Sequence, residues 1–390
     1  MEPVTHMLTG ACLARAGFNR KAAYATLAMA VGAEFPDIDT LSSLRGPVEG
    51  FTHHRGITHT FVGLPFEAAF IVGAVYGLHR WRVARAARAP SSKPLTKAPV
   101  RWGALYGFTL IALLSHLLLD FTNNYGIRPF FPFNPHWYAA SIVFIFDPLI
   151  FLLLVGAFVA PAIFGLVGSE VGARKPAFRG RGWAIAALVA IVGIWTLRET
   201  QHLRAVRLAV AQSVEVPRPA NAAVQMPTPD GPLPDEPPPA IAQAQRALAS
   251  PDPLSPFRWY TVTDFGRFYQ LAEVDSMRGT STPSENPHWK VTPDPVLLAA
   301  EKSRLGRAYL DWSPMPFLDV SEVSEHTDAD GSPEEAALPR GYHRVMFQDP
   351  RFMGETLLLH FSGRVPITGE VVLDEKNRVV SQSMDGKEQR

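Results

Sequence analysis

The chain changes character about halfway along. Up to about residue 200 it is dominated by long apolar runs, and beyond that it turns polar, proline-rich and then alternating. Three runs are long enough to cross a bilayer as helices: Thr60–His79, Ala104 to about Thr122, and Ser141–Val167. A fourth, Trp183–Leu197, is only about 15 residues long and marginal. Two shorter stretches, Val4–Gly17 and Ala22–Phe35, predict helices that pack as a hairpin among the spans. Residues 1–200 therefore predict an α-helical membrane domain. Val216–Pro256 carries twelve prolines, a linker composition, so residues 201–256 read as a spacer. In residues 257–390 the stretches "FRWYTVTDFGRFYQLAEVDSM", "RVMFQDPRF", "TLLLHFSGRV" and "GEVVLDEKNRVVSQSM" alternate as strands do, with one helix expected over Leu297–Leu310. The fold class expected is a helical membrane domain followed by a small β-rich soluble domain.

Charge orients this arrangement. Arg80–Arg101 holds seven basic residues and no acid, and the turn after the first helix holds Arg15, Arg20 and Lys21. Gly168–Gly182 is also basic. Positive loops stay in the cytoplasm, which puts the connections Phe35–His59 and Asn123–Ala140 outside, together with the C-terminal half. The N-terminus lacks the pattern of a cleaved signal peptide and is expected to be retained. The expected topology is multi-pass, with the C-terminal domain on the exterior side.

Composition then narrows the chemistry. The net charge of +1 gives no field for nucleic acid. Cys12 is the only cysteine, so neither an intramolecular disulfide nor a cysteine-based zinc site can form. Any metal must be held by His, Asp and Glu.

Such residues gather on the side assigned to the exterior. His6 begins the first helix, and Asp37 and Asp39 come from "EFPDIDT". His53, His54 and His59 lie in "FTHHRGITHTF", and His116 and Asp120 stand four apart in "SHLLLDFTNNYG". Asp147, in "FIFDPL", falls roughly six residues inside the third expected span, about 9 Å deep. Singly, most have ordinary explanations: a hydrogen-bonded i, i+4 pair for His116 and Asp120, an Asp-rich helix stop for "PDID". An acid inside an apolar span is costly and points to function. Together, imidazoles and carboxylates from five segments form a ligand set for Zn²⁺, Mn²⁺ or Fe²⁺. Their number favours two ions over one, the arrangement suited to displacement at phosphorus. Arg55, between the histidines, is the candidate anion clamp, and Gly56 allows a tight turn there. Arg55 and Asp37 are the catalytic candidates.

In order, "TH", "PDID", "HHRGITHT", "HLLLDFTNNYG" and "FDP" resemble the bacterial integral-membrane metal-dependent hydrolase family, also described as LexA-binding inner-membrane hydrolases. The resemblance covers roughly residues 1–200. It implies a place in the bacterial inner (cytoplasmic) membrane, a metal site and hydrolysis, and leaves the substrate open. A looser likeness, in ligand types and helical setting, is to the zinc-dependent phospholipase C and P1 nuclease group.

Three functions compete. A metal-dependent hydrolase at the outer face would act on an amphiphilic phosphoester or a lipid-linked substrate. A non-catalytic regulator or scaffold would hold a structural metal and meet a protein partner through the exterior domain. A metal transporter fits less well, because the spans offer few polar residues away from one face.

Overall fold

The computed structural model describes residues 1–88, 94–170, 180–216, 241–322, 339–354 and 365–389. All but the last residue of "TLLLHFSGRV", and residues 217–240 of the proline-rich spacer, lie outside these residues.

The N-terminal half is helical. Helix α1 (Pro3–Ala16) starts at Glu2, whose carboxylate accepts the backbone N–H groups of Val4 and Thr5, with Pro3 pre-set for the first turn. Helix α2 (Ala25–Glu34) packs closely on it, because α1 presents Gly10 to Met29 and Ala33. The chain then tightens into a 3₁₀ segment, Phe35–Arg45, where the Thr40 and Ser42 hydroxyls donate to the carbonyls of Asp37 and Asp39. Such local bonds compete with α-helix hydrogen bonding. Helix α3 (Pro47–His53) and a 3₁₀ turn, Ile57–His59, lead to α4 (Leu64–Arg88). Helices α5 (Trp102–Thr122), α6 (Pro148–Glu170) and α7 (Arg181–Val210) complete this half.

Among the described residues, α5, the Pro148–Gly165 part of α6, and α7 are long and apolar enough to cross a membrane. Two expectations change. The run Trp183–Leu197, marginal by length, sits inside the longer α7 and joins the candidate spans. The run expected as a span from Thr60 passes only jointly with Pro47–His59, across an 84° bend. That bend is tight enough for a Cβ on Gly63 to come within 2.4 Å of the Ile57 carbonyl.

The C-terminal half is rich in antiparallel sheet, as the alternating pattern predicts. A short antiparallel pair, β1 (Ser213–Glu215) with β2 (Ile241–Gln243), comes first. One sheet then joins β3 (Arg246–Pro251), β4 (Arg258–Asp264), β5 (Phe268–Asp275) and β6 (Thr280–Pro283) in that order, with β7 (His288–Trp289) also on β5. A second runs β12-β11-β10-β9-β8, from Lys387–Glu388 back through Val379–Met384, Gly369–Leu373 and His343–Gln348 to Phe317–Glu322. Between the sheets in sequence, two short helices, α8 (Pro295–Glu301) and α9 (Arg304–Trp312), cover the expected Leu297–Leu310. Helix α7 continues past residue 200 and sets Ala205, with Val206 and Leu208, against the cluster around Trp259. A shared core then joins the halves. Val48, Tyr125 and Phe144 pack with Leu305, Tyr309, Trp312 and Phe352.

Candidate metal centre

Three elements bring four ligands to one point. Helix α5 brings His116 and Asp120, one turn apart on one face. The 3₁₀ segment after α2 brings Asp37, and the turn before α4 brings His59. His59 Nε2 lies 3.1 Å from His116 Nε2. Asp37 Oδ1 is 3.2 Å from the first and 3.7 Å from the second. Asp120 Oδ2 is 3.5 Å from both. Four ligands held about 2.1 Å from one ion at the corners of a tetrahedron stand about 3.4 Å apart. The spacing of these atoms matches that figure. Asp120 Oδ2, fully buried, also has no hydrogen-bond partner among the described residues. An orphaned buried carboxylate oxygen is costly unless something cationic meets it. The donor set fits a metal ion.

The surrounding contacts prepare the ligands. His116 Nδ1 lies 2.7 Å from the Ala33 carbonyl, which can only accept, so Nδ1 carries the proton and Nε2 presents its lone pair. His59 Nδ1 stands 3.1 Å from Asp39 Oδ2 and is oriented the same way. Asp39 also accepts the Arg55 backbone N–H at 2.7 Å and lies 3.2 Å from His54 Nδ1. Burial alone would push Asp37 and Asp39 upward, but their contacts with His59, and with His54 for Asp39, hold both below the usual carboxylate range. Both carboxylates are therefore ionised and ready to bind at neutral pH.

The remaining expected residues divide. His6 stacks on His116 at 3.9 Å and reaches Asp120 Oδ1 at 3.3 Å, at the edge of the cluster. Asp37, Asp39 and His54 form a second convergent group that shares Asp37 with the first. It offers three ligands, and Asp39 is already engaged with His59 and Arg55. The structure thus builds one complete site and one partial one. His53 points away to Glu49 at 3.3 Å and is half-exposed. Asp147 is not inside a helix and does not reach the cluster. Pro148 disfavours helical backbone at the residue before it, so α6 starts there and Asp147 caps it, accepting from Leu149 and Ile150. Its buried charge pairs with Arg198 at 2.9 Å.

Arg55 does not face an open anion site. It is only 3% exposed. Nη2 lies 2.9 Å from Asp120 Oδ1, and Nη1 donates to the Gly126 carbonyl at 2.6 Å and to Asn123 Oδ1 at 3.3 Å. Its plane sits 4.6 Å above the Tyr125 ring. The guanidinium anchors one oxygen of Asp120 and leaves the other for the imidazoles. The tight turn falls on Arg55 itself, at φ +53°. Gly56 is required for a different reason, because a Cβ there would come within 2.9 Å of the His53 carbonyl.

Three residues outside the expected set belong here. Asn123 accepts the N–H groups of Tyr125 and Gly126, an Asx turn that "TNNYG" announces. Tyr125 provides the face for Arg55. Glu67, in the first turn of α4, is buried with Oε2 unpartnered among the described residues, and it interacts electrostatically with His59 and Asp39. An acid in an apolar run was the signal available for it.

Comparison with known proteins gives three findings. A family model described as "YdjM inner membrane protein" matches residues 1–204. The chain is 28% identical over 160 residues to the "Uncharacterized protein YfhP" of Bacillus subtilis (strain 168). That alignment covers 39% of this chain and 43% of the relative, so the chain spans less than half of the relative's length. No solved structure matches.

Proposed function

The chain belongs to the YdjM inner membrane protein family, and we propose that it is a multi-pass, metal-dependent hydrolase working at the outer face of that membrane. The observation that carries this reading is the convergence of Asp37, His59, His116 and Asp120 at tetrahedral spacing, at the end of a candidate span. The residues that would hold the ion are these four, and two imidazoles with two carboxylates suit Zn²⁺, with Mn²⁺ or Fe²⁺ as further choices. The partial group around Asp39 and His54 would take a second. When bound, the ion would activate water and polarise a phosphoryl or acyl oxygen.

The chain's own residues have distinct tasks in this scheme. Asp39 orients His59, Arg55 holds Asp120, and the Ala33 carbonyl sets the tautomer of His116. Asp37 is the ligand at the rim, with 13% of its side chain exposed, and His54 beside it is more open at 27%. Water and substrate would enter on that side, with Asp37 the catalytic carboxylate. The site's depth favours an amphiphilic phosphoester or lipid-linked substrate over a soluble one.

One observation favours a second reading. Four protein ligands, three of them fully buried, can close a tetrahedral site, as structural metals require. The protein would then be a regulator or scaffold that meets a partner through its C-terminal domain. A cobalt-substituted preparation separates the two. A catalytic site should change its visible spectrum when inorganic phosphate is added, and the same preparation should hydrolyse a phosphodiester or acyl-ester lipid. Full metal content with an unmoved spectrum and no hydrolysis would select the scaffold.

A further inference from the structure

Where the C-terminal half meets the helical half there is a cleft of about 500 Å³. One wall is Phe51 and Thr52, the residues that lead into His53 and His54. The floor is aromatic, built from Tyr125, Trp137 and Trp312. Tyr125 and Trp312 lie 4.7 Å apart, and Tyr125 and Trp137 lie 6.0 Å apart. Three arginines from two distant parts of the chain, Arg128, Arg304 and Arg307, line the same cleft against a single acid, Asp311.

The cations are held in place. The Arg128 guanidinium carbon sits over the Trp137 ring, 4.8 Å from its centre, and the group donates to the carbonyls of Arg55 and Thr52, both at 3.4 Å. It pairs with Asp311 at 3.3 Å, which also accepts from Trp137 Nε1 at 3.2 Å. Glu49 clasps Arg304 with both carboxylate oxygens. Arg307 donates to the Lys302 carbonyl and has no acidic partner among the described residues. Guanidiniums fixed by other contacts lose little freedom when an anion arrives, and their forks match the oxygens of phosphate. With Asp311 on Arg128 and Glu49 on Arg304, one net positive charge remains, centred on Arg307.

We propose that this cleft is a binding site for a phosphate group, on a lipid headgroup or on a small soluble phosphate. None of its lining residues belongs to the ligand cluster, so it is a separate site, and it does not depend on the protein being a hydrolase. Its occupant would press on the Phe51–Thr52 wall, the end of α3 just before the turn that carries His54 and His59.

The test uses the full-length, metal-loaded protein in maltoside micelles, which contain no phosphate. Inorganic phosphate and short-chain phosphatidic acid are titrated separately, following tryptophan fluorescence and calorimetry. Saturable binding of at least one probe is expected, weakened roughly tenfold or more in Arg307→Gln and further in the Arg304→Gln/Arg307→Gln pair. Asp311→Asn, which removes the only acid lining the cleft, should tighten it. Tighter binding of the phosphatidic acid assigns a headgroup, and equal or tighter binding of inorganic phosphate assigns a soluble ligand. Arg307 is exposed and its replacement should leave metal content unchanged, which confirms that the variant is folded. No saturable binding of either probe overturns the proposal. So does unchanged affinity in Arg307→Gln, which would place the phosphate at the metal centre, or equally tight binding of acetate.

Discussion

At the scale of single residues, Asp120 shows how the centre is built. One oxygen is held by Arg55 and Asn123, and the other faces two imidazoles. Removing a direct ligand and removing a supporting residue should therefore differ in degree. His116→Ala should abolish high-affinity binding at the first group. Asp39→Asn, which loosens the orientation of His59, should lower affinity about 10–100-fold and leave the site able to fill. Competition against a chelator, with metal counted per chain, measures both. Equal effects would mean that Asp39 ligates directly, as the second group would require. Arg55→Lys belongs with the supporting class. A lysine cannot reach Asp120, Asn123 and the Gly126 carbonyl together. It should cost metal affinity on the same 10–100-fold scale, where an anion clamp would have cost turnover alone. Asp120→Ala should be the most damaging, because it strands a buried guanidinium at a cost of about 3–5 kcal/mol, read as a loss of thermal stability.

At the scale of elements, what the sequence revealed depended on whether spacing alone was enough. His116 and Asp120 were legible because residues four apart on a helix share a face. "PDID" and "GITH" were legible as ligand-bearing turns, but nothing local said that Asp37 would reach His116 while His53 turned to Glu49. Asp147 was misplaced because hydropathy continues smoothly through Ser141–Phe146, whereas Pro148 decides where the helix begins. Arg55 read as a free cation because its partners lie 65 to 71 residues away in sequence. The α1–α2 hairpin was expected, but its closeness at Gly10 was invisible, since small residues carry little hydropathy signal. It can be tested. A Cβ at Gly10 would stand 2.1 Å from the Met29 carbonyl and 2.6 Å from Ala33 Cβ, both on the helix that leads to Asp37. Gly10→Val should force α1 and α2 apart, destabilise the protein by about 1–3 kcal/mol, and reduce metal content although it touches no ligand. Retained metal with a lowered melting temperature would show that the hairpin does not position the site.

At the scale of the whole molecule, the two ends of the helical half differ in charge and in what covers them. The end that carries the ligand cluster is capped by the C-terminal half. There Arg351 Nη1 donates to the Asn124 carbonyl at 2.9 Å, and Trp312 Nε1 to the Tyr125 carbonyl at 3.1 Å. The other end gathers arginines. Arg181 donates to the Ala16 carbonyl at 2.9 Å, and Arg82 to the Leu95 carbonyl at 3.3 Å. Basic ends stay in the cytoplasm, so the cluster and the domain above it should face the exterior. Cysteine labelling tests this with little background, because Cys12 is the only thiol and is fully buried. Met277 is 66% exposed on the C-terminal half, and Leu95 is 38% exposed at the basic end. In spheroplasts, a membrane-impermeant maleimide should label Met277→Cys at once and Leu95→Cys only after detergent is added. The opposite pattern would put the metal centre on the cytoplasmic side. A substrate at the outer face would then be untenable, while the ligand geometry would stand unchanged.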